Sequence, residues 1–189
     1  MRPLRCLLPC LVLLLTAAAG AATPAVTVPA EWRSFDLIVS LQALPATYSC
    51  DDLWYKFRDV LLTLGARAYM TITPYHCGAT GGSQGRSPSV HVQFQLPRPL
   101  HGDAMRYEQI SAVTRTIRLK PGTPPTLKAG DCELVRQLKS ALFEALPVRV
   151  TTADFSCKAD GGSFVLAAEA VVEQPEQAAT ASAPVGTPH

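Results

Sequence analysis

The chain has 189 residues, 48% hydrophobic, 17% charged and 7% aromatic, with a formal net charge of +2. This balance excludes a collagen, a coiled coil and a wholly disordered chain. Only one stretch is long and apolar enough to approach a bilayer, which excludes a polytopic membrane protein.

That stretch comes first. Arg2 and Arg5 lead into an apolar run, Cys6 to Thr16, and then into small residues, where Ala19-Gly20-Ala21 fits an A-x-A cleavage site. The run is short for a spanning helix and is interrupted by Pro9. Residues 1–21 are therefore expected to be a cleaved signal peptide, which places the mature protein in the periplasm or outside the cell, with no stable membrane span. Cleavage removes two of the 17 basic residues and leaves 15 against 15 acidic ones, so no basic patch for nucleic acid is indicated. It also removes two of the six cysteines, and the remaining four point to two disulfides in an exported chain. The sequence contains no Asn. It thus has no N-glycosylation sequon, and any positive φ must fall on Gly or on a strained residue.

Residues 22–33, with Pro24 and Pro29, are expected to form an extended leader. Next comes a pattern that occurs twice. Cys50 opens an amphipathic stretch through Leu53, Phe57, Leu61 and Leu64, and a Thr-rich apolar run then ends at Cys77. Cys132 opens another through Leu134, Leu138, Leu142 and Ala145, and a second such run ends at Cys157. Each closing cysteine is followed by the same signature, Gly81-Gly82-Ser83 and Gly161-Gly162-Ser163. The closing cysteine and the Gly-Gly-Ser recur 80 residues on, and the opening cysteine 82 residues on.

Each amphipathic stretch is expected to be a helix. Ser49 and Asp52 suggest a capping box for the first and Asp131 a cap for the second, with Gly65 and Pro147 as stops. Candidate strands lie before the helices at Phe35 to Leu41 and Ile110 to Leu119. They follow them at Ala68 to Thr73 and Val148 to Thr152, and after the Gly-Gly turns at Val90 to Leu96 and Phe164 to Val172. Val90, Val92, Phe94 and Leu96 alternate strictly, the mark of one buried and one wet face.

Residues 34–97 thus form a first βαββ repeat, 98–107 a connector, 108–173 a second βαββ repeat and 174–189 a disordered tail. The expected fold is α+β, a two-layer sandwich of two helices on a six-stranded, mostly antiparallel sheet, related to ferredoxin-like folds in element order only. A helix of about 15 residues climbs ~22 Å and a returning strand descends by a similar distance. Cys50 should therefore meet Cys77, and Cys132 should meet Cys157. A zinc site is disfavoured by the wide spacing within each pair.

Candidate chemistry is thin. Gly81-Gly82-Ser83-Gln84-Gly85 matches G-x-S-x-G, but no helix follows and the chain is too short for a hydrolase fold that uses that motif. His76 beside Cys77 would be brought near Asp51 and Asp52 by the disulfide, the simplest arrangement for a small hydrolase. Acidic residues in a first helical turn are, however, expected for capping alone. Trp54 and Tyr55 lie beside the buried stripe and are the candidate contact surface for a partner. The leading expectation is an exported, non-enzymatic, disulfide-braced protein that binds or assembles with an envelope or exported partner, without a metal or other cofactor. The alternatives are the His76 hydrolase and an inhibitor presenting the loop Gly81 to Pro88 to an exported enzyme.

Overall fold

A computed structural model describes residues 27–44, 48–77, 87–100, 109–158 and 161–174. The elements run β1 (Thr27–Ser40), α1 (Cys50–Thr63), β2 (Thr71–Tyr75), β3 (Ser89–Pro99), β4 (Gln109–Leu119), α2 (Cys132–Ala141), β5 (Arg149–Lys158) and β6 (Gly161–Glu173). All six strands join one antiparallel sheet in the order β2-β3-β1-β4-β6-β5, with the two helices packed on it, an α+β two-layer arrangement. The order reads outward from the centre as β1-β3-β2 on one side and β4-β6-β5 on the other. Each half therefore sends its first strand through a helix to an edge strand parallel to it, and the last strand fills the gap between them.

Local chemistry explains the helices. The Ser49 hydroxyl accepts the Asp52 N–H at 3.0 Å, and Asp51 and Asp52 face the positive end of the α1 dipole. Leu53, Phe57, Val60, Leu61 and Leu64 are all fully buried, each contributing roughly 1.5–3 kcal/mol by leaving water. At the C-terminus the Ala66 N–H bonds the Leu61 carbonyl and the Gly65 N–H bonds that of Leu62, with Gly65 at φ 89°. This is a Schellman ending, which needs a left-handed residue. A β-carbon on Gly65 would also stand 2.7 Å from Val172 Cγ1, so the end of α1 lies tightly on β6 of the other half. One cluster of buried side chains runs through both helices and the sheet.

Register sets the faces. Phe35, Leu37 and Val39 pair with Phe94, Val92 and Val90 on the helix side; Trp32, Ser34, Asp36 and Ile38 pair with Pro97, Gln95, Gln93 and His91 on the uncovered side. In β5 the alternation changes phase at Thr151, where a bulge interrupts the pairing with β6. Val150 pairs with Ala168 before it, and Ala153 and Phe155 pair with Leu166 and Phe164 after it.

Several sequence expectations need correction. The first strand begins at Thr27 instead of Phe35, because Thr27–Glu31 pairs with Gln109–Val113 of β4 and joins the halves; most of the expected leader is sheet. Part of the expected connector is strand too, since β3 runs to Pro99. The helix from Cys132 stops at Ala141 and tightens into a 3-10 turn, Phe143–Ala145, before Pro147. Gly161-Gly162, expected to be a turn, instead belongs to β6, paired with Lys158 and Cys157. There a β-carbon on Gly162 would strike the Ser156 carbonyl. Asp131 makes no side-chain cap to α2. The expected signal peptide at residues 1–21, the G-x-S-x-G stretch at 81–85, most of the loop expected of an inhibitor and residues 175–189 of the expected tail lie outside the described residues.

Candidate functional site

The stripe that buries α1 leaves its neighbouring face outward. Trp54 is partly buried against the core, Tyr55 is 53% exposed, and their rings meet edge to face with centroids 5.0 Å apart. The Arg58 guanidinium stands over the Trp54 ring at 5.6 Å. Stacking and the helix backbone hold the three side chains together, and these residue types dominate binding hot spots.

Beneath them lies a buried polar knot that joins the halves. Lys56 Nζ donates to Asp131 Oδ2 at 2.8 Å and to the Thr126 carbonyl at 2.7 Å, and the two charged side chains are 6% and 5% exposed. The Tyr48 hydroxyl donates to Asp131 Oδ1 at 2.9 Å, and the Lys128 N–H donates to Asp131 Oδ2 at 2.7 Å. Burial, reinforced by the Asp131 charge, pushes the Tyr48 hydroxyl above its ordinary value, so it remains a protonated donor. The carboxylate expected to cap α2 is thus engaged by a cation from α1. A small recess of about 190 Å³, lined by Asp52, Tyr55, Lys56, Thr126 and Lys128, remains at this seam.

The opposite seam lies between α2 and the connection that leaves β1. Gln137 clamps it: Oε1 accepts the Gln42 N–H and Nε2 donates to the Gln42 carbonyl, each at 2.7 Å. Gln137 Nε2 also donates to Glu133 Oε1 at 2.8 Å, and Arg136 Nη2 lies 2.7–2.8 Å from both Glu133 oxygens. Burial raises the Glu133 carboxyl, but the hydrogen bonds from Arg136 and Gln137 outweigh it and hold the group below its ordinary range. Counted from the opening cysteines, Tyr55 and Gln137 occupy the same helical place. Here the seam stays open, as a cleft of about 740 Å³.

The uncovered sheet face carries a polar ladder. Asp36 accepts from Gln93 at 2.8 Å and bonds His91 at 2.6 Å, and Gln95 donates to Ser34 at 3.2 Å. The hydrogen bonds from Gln93 and His91 lower the Asp36 carboxyl. Exposed Ile38, Tyr69 and Tyr75 surround this ladder.

The cysteines are joined Cys50 to Cys77 and Cys132 to Cys157, with Cα–Cα distances of 5.2 and 5.4 Å. Each bond ties the start of a helix to the end of its return strand. His76 is exposed at φ 56°, and its side chain makes no hydrogen bond or ion pair with Asp51 or Asp52, which are also exposed. With Ala43 at φ 47°, it takes the left-handed conformation that a chain without Asn must place on strained residues. Among the described residues, no three His, Cys, Asp or Glu side chains gather as a metal set, and no helix is long and apolar enough to cross a membrane.

The Lys56 knot escaped the sequence reading, although a signal existed. Lys56 stands three residues after Leu53 and four before Val60, on the apolar stripe itself, where a charge needs a partner. No known family, curated protein or solved structure matches the chain.

Proposed function

We propose that this is an exported, disulfide-braced binding protein that engages a partner protein through the face of α1 formed by Trp54, Tyr55 and Arg58. The observation that carries the reading is the stacked arrangement of these three side chains, with Tyr55 more than half exposed, on a helix anchored by the buried Lys56–Asp131 pair. Such a surface loses little side-chain entropy on binding, because its rings are already held. Export is supported by the two cross-links together with the Arg2–Ala22 leader pattern. A tandem origin for the halves is supported by the recurrent Cys and Gly-Gly-Ser spacing and by the matching strand order on either side of the sheet centre.

The test is site-specific photo-crosslinking in the native envelope with a photoreactive residue at position 55, and the same residue at exposed position 118 as control. One discrete adduct at 55 that is absent at 118 and lost with Arg58→Ala is the expected result. Equal labelling at both positions would remove the α1 face from consideration. The hydrolase reading has no comparable support, since the exposed His76 side chain makes no hydrogen bond or ion pair with Asp51 or Asp52.

A further inference from the structure

We propose that the open seam between α2 and the connection leaving β1 is a binding site for a small ligand bearing an oxyanion, held by Arg136 and Lys158. This site is separate from the aromatic face of α1 and does not depend on it.

Four observations converge. The cleft of about 740 Å³ lies within the size range of small-molecule sites. At the corresponding seam the Lys56 ammonium and its partners leave only about 190 Å³. Side-chain packing therefore can close a seam of this construction, and in the second one it does not.

The charge on the lining is uneven. Arg136 and Lys158 face one anion, Glu133. Glu133 already accepts from Arg136 Nη2 and Gln137 Nε2, which keeps it ionised and fixes the guanidinium by one corner. The remaining donors of Arg136, on Nε and Nη1, have no partner among the described residues, and neither does the Lys158 ammonium. A planar fork and a point cation opening onto one cleft suit a carboxylate or a phosphate.

The wall is held in place. The paired hydrogen bonds between Gln137 and the Gln42 backbone fix the connection against α2, and Ala43, at φ 47°, is bonded through its N–H to Ser87 Oγ at 3.4 Å. Ser40 and Ser140 add hydroxyls to the lining, and the Ser140 hydroxyl donates to the Gln137 carbonyl at 3.1 Å, so its oxygen keeps its capacity to accept. The site thus combines pre-formed shape, two unsatisfied cations and polar edges, the ingredients of orientation-specific recognition.

Carboxylate and phosphate share this chemistry, and two probes separate them. The oxidised mature protein, labelled with ¹⁵N, is titrated at constant ionic strength with citrate and, separately, with inorganic phosphate. The expected result is saturable shifts for at least one probe at backbone amides of residues 40–43, 136–141 and 158. Arg136→Gln combined with Lys158→Gln should weaken that binding by about tenfold or more, since each charged hydrogen bond is a large share of a small ligand's affinity. Saturation by citrate alone assigns a carboxylate, by phosphate alone a phosphate ester, and by both an unselective oxyanion site; all three support the proposal. Non-saturating shifts with both probes, or saturation unchanged in the double variant, would overturn it. Both substitutions remove exposed charges, and unchanged resonances elsewhere would show that the fold is intact.

Discussion

At one seam of the molecule α1 meets the connection before α2; at the other, α2 meets the connection after β1. In each, a helical side chain donates to a backbone carbonyl of the opposite half at 2.7 Å, Lys56 to Thr126 and Gln137 to Gln42. The outcomes differ because the donors differ. A lysine brings a charge that must be neutralised when buried, so the first seam recruits Asp131, Tyr48 and the Lys128 N–H and closes around them. A glutamine needs no counter-ion, can accept as well as donate, and tolerates water, so the second seam is bridged at one point and left open beside it. A closed seam makes a rigid platform, and an open one makes room for a ligand.

This contrast can be broken at its strongest point. Asp131→Ala should destabilise the protein by about 3–5 kcal/mol, because it strands the Lys56 ammonium in the core. Urea unfolding followed by circular dichroism measures it. Pairing Lys56→Met with Asp131→Leu should recover most of that loss, since neither side chain then brings a charge; a double variant as unstable as the single would mean that shape, not charge, holds the seam.

The disulfides offer a graded version. Replacing Cys132 and Cys157 with Ala should cost about 3–4 kcal/mol in the chain-entropy picture, and replacing Cys50 and Cys77 a similar amount, since the sequence separations are 25 and 27. Only the first replacement should also impair oxyanion binding, because Cys157 lines the open cleft. Thermal unfolding combined with the citrate and phosphate titrations checks both halves of that expectation.

Smaller effects follow at the open seam. Gln137→Ala should cost about 1 kcal/mol, the net worth of hydrogen bonds at a solvent-accessible site, measured by the same urea titration. The lowered carboxyl of Glu133 sets the smallest effect. The group contributes stability above its ordinary value of 4.5, and the contribution is lost as pH falls through its depressed folded value. Glu133→Gln should flatten the acid side of a stability–pH profile measured from above 4.5 down through the depressed folded value. An unchanged profile would mean that the Arg136 and Gln137 contacts do not outlast solution conditions.

Much of the architecture was written locally. The apolar spacing from Leu53 to Leu64, the Ser49 hydroxyl and Gly65 specify α1 within a few residues, because capping and burial act along one helix turn at a time. The strict alternation from Val90 to Leu96 likewise foretold the buried face of β3. Boundaries were less readable. Thr27–Glu31 looks like a Pro-bearing leader because nothing nearby shows that β4 will pair with it. Thr151 hides a bulge, since only the partner strand reveals which of two adjacent threonines is left unpaired. Trp54 and Tyr55 were visible as aromatics beside the stripe, but their edge-to-face contact and the placement of Arg58 over the indole were not.

By itself, the sequence determined the helices, the alternating strands and the even set of cysteines, because each depends on spacings of two to four residues or on chain length. The tertiary structure decided what the seams became. Lys56 and Asp131 lie 75 residues apart, and Gln42 and Gln137 lie 95 apart. Periodicity says which side a residue faces; it carries no information about which distant carbonyl or carboxylate will be waiting there, and that meeting closed one seam and left the other open.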